Sequence, residues 1–272
     1  MPILYQGKKI TTIHDLTLLK TYNPDKNWLT YHFKQFVGQF VFRIVSKTSR
    51  FTITPTKYVK NDVTTTLKAP QDRVVQIYEA AEAVTSAVQE YSLPSPEFIL
   101  FVGQQSEYKN VLRLAEAHQV LLKNRPNLQL VLVGKIDSAA KRTQKIISDR
   151  SYKNIVFTGF VSDAELNWLY QNTRAFIFPS LSEGFGLPGL EAMIQGAPVL
   201  ASNSTCLPEV YGDAAYYFDP LNSTTIAEAI EKVLSDDMTR DNLIKNGHKQ
   251  AAKYSWKKMA EQTLDLYNQS LL

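Results

Sequence analysis

Phe178-Pro-Ser-Leu-Ser-Glu-Gly-Phe-Gly-Leu-Pro-Gly-Leu-Glu-Ala-Met193 decides how the rest of this 272-residue chain is read. It begins at the end of a short apolar run, Ala175 to Phe178, and passes into a helical pattern from Pro188 to Ile194. Gly184 and Gly186 let the backbone come close to a ligand. Pro188 suits the first turn of a helix, where its missing N–H would have no partner anyway. Free amides and the positive end of the helix dipole make such a place an anion site, most naturally for a phosphate or diphosphate. Glu183 stands in the loop before the helix and Glu191 one turn inside it, so both carboxylates border the same ligand. A carboxylate accepts two hydrogen bonds from a vicinal diol. A phosphate with hydroxyls on both sides is the layout of a nucleotide sugar, with ribose, diphosphate and hexose in that order.

Two other readings compete. A Gly-Phe-Gly turn is common, and surface glutamates are usually only solvated. Gly184-Phe-Gly186-Leu-Pro-Gly189 also matches G-x-G-x-x-G, with Glu209 twenty residues beyond Gly189. An NAD(P) fingerprint, however, follows its strand directly and belongs to the first βα unit of its domain, whereas here a loop intervenes and the motif falls late.

Working outward, short β-branched runs alternate with helical patterns, the signature of α/β folds with parallel sheets. Strands are expected at Ile10 to His14, Phe51 to Thr54 and Arg73 to Tyr78, with helices from Trp28 and Tyr58 between them. Tyr91-Ser-Leu-Pro-Ser-Pro-Glu97 then interrupts every pattern and reads as a linker. Beyond it the strands Phe98 to Val102, Leu128 to Val133, Ile155 to Thr158, Ala175 to Phe178, Pro198 to Ala201 and Ala215 to Phe218 alternate with helices and wind a Rossmann-like sheet. The remainder is helical, its last segment opening at Ser255, a suitable N-cap. This gives three parts: 1–93, an incomplete Rossmann-like domain; 94–254, a complete Rossmann-like domain; and 255–272, a C-terminal helix.

The bulk numbers are those of an ordinary globular chain, 44% hydrophobic with a formal charge of +4. The excess sits in residues 1–93, with 12 Lys+Arg against 7 Asp+Glu. Its charges are scattered, densest from Lys26 to Lys60, which favours a solvated face over a nucleic-acid footprint. Trp28, Leu29, Phe33, Phe36, Val37, Phe40, Val41, Ile44 and Val45 recur there at nearly helical spacing. Packing on the protein's own core is the favoured reading, and an amphipathic helix against a bilayer the alternative. One cysteine, Cys206, excludes an internal disulfide and fits a reducing compartment. No run approaches the roughly 18 apolar residues of a spanning helix, and Met1 to Lys9 lacks the order of a signal peptide. The expected location is the cytoplasm, including the inner face of the membrane.

The quoted run, followed by Gly196-Ala-Pro-Val199, resembles the E-x7-E signature of the retaining GT-B glycosyltransferases of family 4, the glycosyl transferases group 1. The resemblance extends through Phe101-Val-Gly103 with Lys109-Asn110, Val131-Leu-Val-Gly134, Phe157-Thr-Gly-Phe160, Pro208-Glu-Val210 and Tyr254-Ser-Trp256. Before residue 94, His14-Asp15-Leu16 and Ile53-Thr-Pro-Thr-Lys57 look like the second half of the family's acceptor-side domain. The resemblance implies a GT-B fold, with 1–93 as a partial acceptor-side domain, 94–254 as the donor-binding domain and 255–272 as a helix crossing back to the first domain, and transfer of a hexose from a GDP- or UDP-sugar to a glycan or lipid-linked acceptor. Glu183 would face the donor sugar's hydroxyls and Glu191 the ribose, with amides of Gly184, Phe185, Gly186 and Leu187 along the sugar and diphosphate. Lys109 would grip the diphosphate and stabilise the leaving group, and His14 would reach toward the reacting sugar. Asp15 would orient its loop. Loops at Gly134 and Gly159-Phe160 would meet the base. Relatives often place an arginine soon after the first glycine; here Gly103 is followed by Gln104 and Gln105, so neutral hydrogen bonds or weaker donor affinity would result. With no D-x-D and no metal-like histidine spacing, the implied transfer is metal-independent and uses no cofactor beyond the co-substrate.

A two-domain enzyme of this class would be roughly a hundred residues longer, so the front of the acceptor domain is expected to be missing. Three readings follow: an enzyme completed by another chain, a truncated product, or a nucleotide-sugar-binding protein that no longer transfers.

Overall fold

The computed structural model describes residues 3, 5, 7–21, 27–82 and 87–271. Lys26 and Met1 lie outside them. Contacts divide the chain into two units: Met1–Ala80 with Glu183–Gly186 and Tyr254–Leu272, and Ala81–Ser182 with Leu187–Lys253.

In the first unit, β1 (Ile10–Thr12), β2 (Phe51–Thr54) and β3 (Val74–Gln76) form a parallel three-stranded sheet in the order β1-β2-β3. Between β1 and β2 come α1 (Thr17–Lys20) and the long α2 (Trp28–Thr48). Between β2 and β3 comes α3 (Lys57–Leu67), whose N-cap Thr56 accepts a hydrogen bond from the Val59 amide. Val59, Val63 and Leu67 of α3 close over Ile13, Leu16 and Val74, with Phe42 of α2 packed alongside. Ile53 and Ile77 pack with Leu266 and Met259 of the last helix, α11 (Trp256–Leu271). Ser255 Oγ accepts from the Lys258 amide at 3.4 Å, the N-cap contact expected of it.

The Trp28 helix does not pack as the favoured reading expects. Tyr31, Gln35, Gly38, Phe42 and Val45 form the side turned to α1 and α3, while Trp28, Leu29, Phe33, Phe36, Val37 and Phe40 are exposed. Apolar residues run round most of this helix, so their spacing establishes the helix without fixing which side is covered.

The second unit holds β4 (Phe98–Val102), β5 (Gln129–Val133), β6 (Ile155–Gly159), β7 (Ala175–Phe178), β8 (Val199–Ser202) and β9 (Ala215–Phe218) in one parallel sheet ordered β6-β5-β4-β7-β8-β9. Counted within the unit, this is the 3-2-1-4-5-6 order of a Rossmann fold, with its topological switch between β4 and β7. Sheet residues such as Ile99, Leu100, Val131, Phe176, Ile177 and Leu200 are fully buried, as a sheet covered on both faces requires. The crossovers are α4 (Val111–Leu121), α5 (Ser138–Asp149), α6 (Asp163–Asn172), α7 (Leu187–Ile194) and α8 (Leu207–Tyr211), followed by α9 (Ser223–Ser235) and α10 (Asp237–Ala251). Ser162 and Glu165 form a reciprocal capping box on α6. Asp137, Asn222 and Asp236 cap α5, α9 and α10.

The division after Ala80 falls ahead of the proline-serine stretch that reads as the linker in sequence. The amide of Gln89 donates to Ala164 O at the start of α6, tying that stretch to the second unit. Glu183–Gly186, which the sequence assigns to the donor domain, groups with the first unit for reasons of packing given below.

Candidate functional site

In an open parallel sheet the loops leaving the C-terminal ends of the strands at the switch point are the ones free to bind a ligand. In the second unit these are the loop from β4 to α4 and the loop from β7 toward α7. They are laced together: Leu181 N–H donates to Tyr108 O at 2.7 Å, and the Asn110 amide donates to Pro179 O at 3.1 Å and Pro220 O at 2.7 Å. Asn110 adopts φ 61°, a left-handed conformation that asparagine tolerates, and its Oδ1 accepts from Arg113 at 2.6 Å. Just before it, Lys109 Nζ lies 5.2 Å from the Phe178 ring centre and 5.3 Å from that of Tyr108. The ammonium therefore rests on the aromatic end of β7.

Glu191 is half-buried on α7, and its Oε2 accepts a hydrogen bond from the Tyr170 hydroxyl at 3.2 Å. Burial holds the Glu191 carboxyl above the usual range while the Tyr170 hydrogen bond opposes that rise. Tyr170 is fully buried. Its hydroxyl is pushed well up by burial and further by the Glu191 charge. Gly186 (φ 96°) turns the chain immediately before Leu187, the first residue of α7.

Gly103, Gly134 and Gly159 follow or end the three adjacent strands β4, β5 and β6, linked by Gly103 N–H to Val133 O at 2.9 Å and Gly134 N–H to Gly159 O at 3.1 Å. A side chain at Gly134 would place Cβ 2.2 Å from Gly103 O, so only glycine admits this approach. Gln104 is exposed, Gln105 is buried with no partner for its Oε1, and Phe160 is exposed.

In the first unit, His14 follows β1, with Nδ1 2.6 Å from Oε1 of the nearly buried Glu79. The hydrogen bond to Glu79 raises the His14 pKa, against partial desolvation. Asp15 accepts from the Thr17 amide at 2.7 Å, so it shapes the turn after His14. Against this turn rests Glu183–Gly186. Thr56 Oγ1 donates to Gly184 O at 3.1 Å, and a Cβ on Gly184 would fall 2.1 Å from His14 O. Phe185 is buried beside Tyr78 and Tyr254, its ring centre 5.5 Å from that of Tyr254. The structure thus gathers His14, Glu183 and Gly184 within the first unit, and Gly103, Lys109, Gly134, Leu187 and Glu191 around the switch point of the second. Glu79 and Tyr170 go unnoticed in the sequence, and Asn110 is quoted there without a role. Glu79 had a signal, since it follows β3 as His14 follows β1. Asn110 adjoins Lys109. Tyr170 had none.

The sequence pattern of the family described as "Glycosyl transferases group 1" matches residues 85–250. The chain is 29% identical, over 96% of its length, to O-antigen chain mannosyltransferase B of Escherichia coli, of which it spans 70%. It is 31% identical, over 97% of its length, to the serotype-specific mannosyltransferase WbdA of Escherichia coli, of which it spans 34%. Among solved structures it superposes on sucrose-phosphate synthase of Thermosynechococcus elongatus with a TM-score of 0.78 at 21% identity, covering 98% of this chain and 68% of that one. It superposes on HepE of Anabaena, solved in complex with UDP-glucose, with a TM-score of 0.73 at 16% identity, covering 96% and 72%. These two likenesses support the GT-B fold, and the parallel sheet in each unit belongs to its α/β class.

Proposed function

The chain belongs to the glycosyl transferases group 1 family, and from that premise we propose that it transfers a hexose from a GDP- or UDP-sugar to a glycan or lipid-linked acceptor in the cytoplasm, with retention at the anomeric carbon. The observation that carries this reading is the switch point of the second unit. There a lysine ammonium, the N-terminal end of α7 and a half-buried carboxylate are held by the two loops that an open sheet offers to a ligand. Lys109 and the α7 amides are assigned to the diphosphate, and Glu191 to the ribose diol. Backbone at Gly103, Gln104, Gly134 and Phe160 is assigned to the remainder of the nucleotide. Mannose is the favoured sugar, because both Escherichia coli relatives are named as mannosyltransferases.

In the proposed reaction the bond from the anomeric carbon to the diphosphate oxygen breaks, and a bond to the acceptor hydroxyl forms on the same face. The acceptor's proton passes to the departing phosphate. Charge gathering on that phosphate is met by Lys109 and the helix end, and no metal ion is assigned a part. Glu183 is assigned to hydroxyls of the transferred sugar, held by the packing of Gly184 on His14 O. His14, its ring oriented by Glu79, is assigned to the sugar as well.

The test is a panel of nucleotide sugars assayed for nucleotide release and for binding by calorimetry. Glu183→Ala is expected to abolish transfer while leaving nucleotide binding. Transfer as fast as wild type would remove the mechanism, and failure to bind any nucleotide would remove the donor site itself.

A further inference from the structure

We propose that α2 is a membrane-docking helix that lies flat on an anionic lipid surface, a role independent of the transfer reaction proposed above. One side of this helix is fully used by the protein: Tyr31 Oη donates to Thr21 O at 3.0 Å, and Phe42 packs on the core formed with α1 and α3. The opposite side carries Leu29, Phe33, Phe36 and Phe40, which recur at the 4-3-4 spacing of a helical stripe and stand 69%, 69%, 70% and 57% exposed. Trp28, 62% exposed, begins the helix. Large aromatic groups in water at that density have unspent hydrophobic free energy, and a contiguous patch of this kind marks an interaction surface.

Charge identifies the occupant. The same stripe continues into Arg43 and Lys47, both exposed, and Lys34 is exposed on another side of the helix. From Asn27 to Asn61 the sequence holds no Asp or Glu at all. An apolar stripe that turns basic at one end, with no acid along it, matches a bilayer whose acyl region takes the rings and whose anionic head groups take the cations. Pairing of two such helices would instead bring Arg43 and Lys47 against a partner helix with no acid to offer them. At about 1.5 Å per residue the helix would lie some 30 Å along the surface, and no helix among the described residues is long and apolar enough to cross a membrane.

Flotation with vesicles of phosphatidylcholine, with and without phosphatidylglycerol, tests the proposal on the whole chain. Wild type is expected to float with the anionic vesicles at low salt and to leave them as salt rises. The Phe33→Gln, Phe36→Gln, Phe40→Gln triple variant should lose more than about tenfold in partitioning, with an unchanged thermal melt. Should that variant fail to fold, Arg43→Gln with Lys47→Gln serves instead, with about a fivefold loss expected per charge on anionic vesicles only. Wild type remaining in the soluble fraction at low salt would overturn the proposal. So would light scattering showing a dimer that the triple variant dissociates while vesicle binding is unchanged.

Discussion

Lowering the pH should destabilise this protein through one histidine. His118 of α4 is completely buried, and its surroundings fix one neutral tautomer. Nε2 lies 3.1 Å from Leu128 O, which can only accept, so Nε2 carries the proton. Nδ1 lies 3.1 Å from Nε2 of Gln119, whose amide is held in that orientation by Lys153, its Oε1 accepting from Lys153 N and its Nε2 donating to Lys153 O. Nδ1 therefore accepts, and a second proton there would confront a donor. Burial pushes the pKa down from its ordinary 6.5 to about 4, with the Leu128 hydrogen bond opposing the change. Because the folded value is depressed, the unfolded chain takes up the proton first. Stability is complete above 6.5 and is lost as pH falls from there toward about 4, where the folded form protonates too.

At about 1.36 kcal/mol per pH unit, the gap between 6.5 and about 4 amounts to about 3 kcal/mol, of which about 2 is gone by about pH 5. His118→Gln keeps an N–H donor near Nε2 and cannot titrate. Urea unfolding of wild type and variant at about pH 8 and about pH 5 isolates the contribution, since all other titrations are common to both. The variant should close on, or overtake, wild type by about 2 kcal/mol at the lower pH. A stability difference between the two proteins that stays constant across this range would refute the assignment of a buried, neutral His118.

Three further outcomes are expected. Tyr170→Phe removes the hydrogen bond that holds the Glu191 pKa down; nucleotide binding, which needs the carboxylate, should weaken with falling pH in wild type and do so from a higher pH in the variant, and coincident calorimetric pH profiles would count against Glu191 as the diol acceptor. Gly184→Ala forces a Cβ to 2.1 Å from His14 O, so the signature loop must shift. Transfer should fall by more than about a hundredfold, while unchanged steady-state rates would show that the loop's packing does not matter. Asn110→Ala removes the donor from Pro179 O, leaves Pro220 O to Arg113 alone and places alanine at φ 61°; denaturant unfolding should show a loss of about 3 kcal/mol, and a loss under about 1 would mean that these loops are pinned elsewhere.

The second unit was readily legible because its central strands are buried on both faces: Phe98–Val102 and Ala175–Phe178, and with them the half-buried edge strand Ala215–Phe218, appear in the structure with the bounds that their apolar runs and flanking residues imply. Helix α8 was not, being only Leu207–Tyr211 with a proline in its first turn. The side of α2 turned to solvent was hidden by apolar residues on both sides. In the candidate site, the positions of Lys109 and Glu191 around the switch point follow from the order of strands and loops. The His14–Glu79 pair spans 65 residues, and the seating of Gly184 on His14 spans far more. Such pairings depend on which strand ends lie side by side, information that local periodicity does not contain.

The first unit is assembled from three separate stretches, Met1–Ala80, Glu183–Gly186 and Tyr254–Leu272. During synthesis its sheet emerges long before Met259 and Leu266, the side chains that complete the core around Ile53 and Ile77. A ribosome adding roughly 5–20 residues per second leaves that apolar surface uncovered for on the order of ten seconds or more, while the whole second unit is made. The nascent chain therefore exposes this apolar surface well before it makes the helix that covers it. Cutting after Ala80 would also separate β1–β3 from the four-residue loop and closing helix that pack with them, so this unit cannot be obtained as a simple amino-terminal fragment.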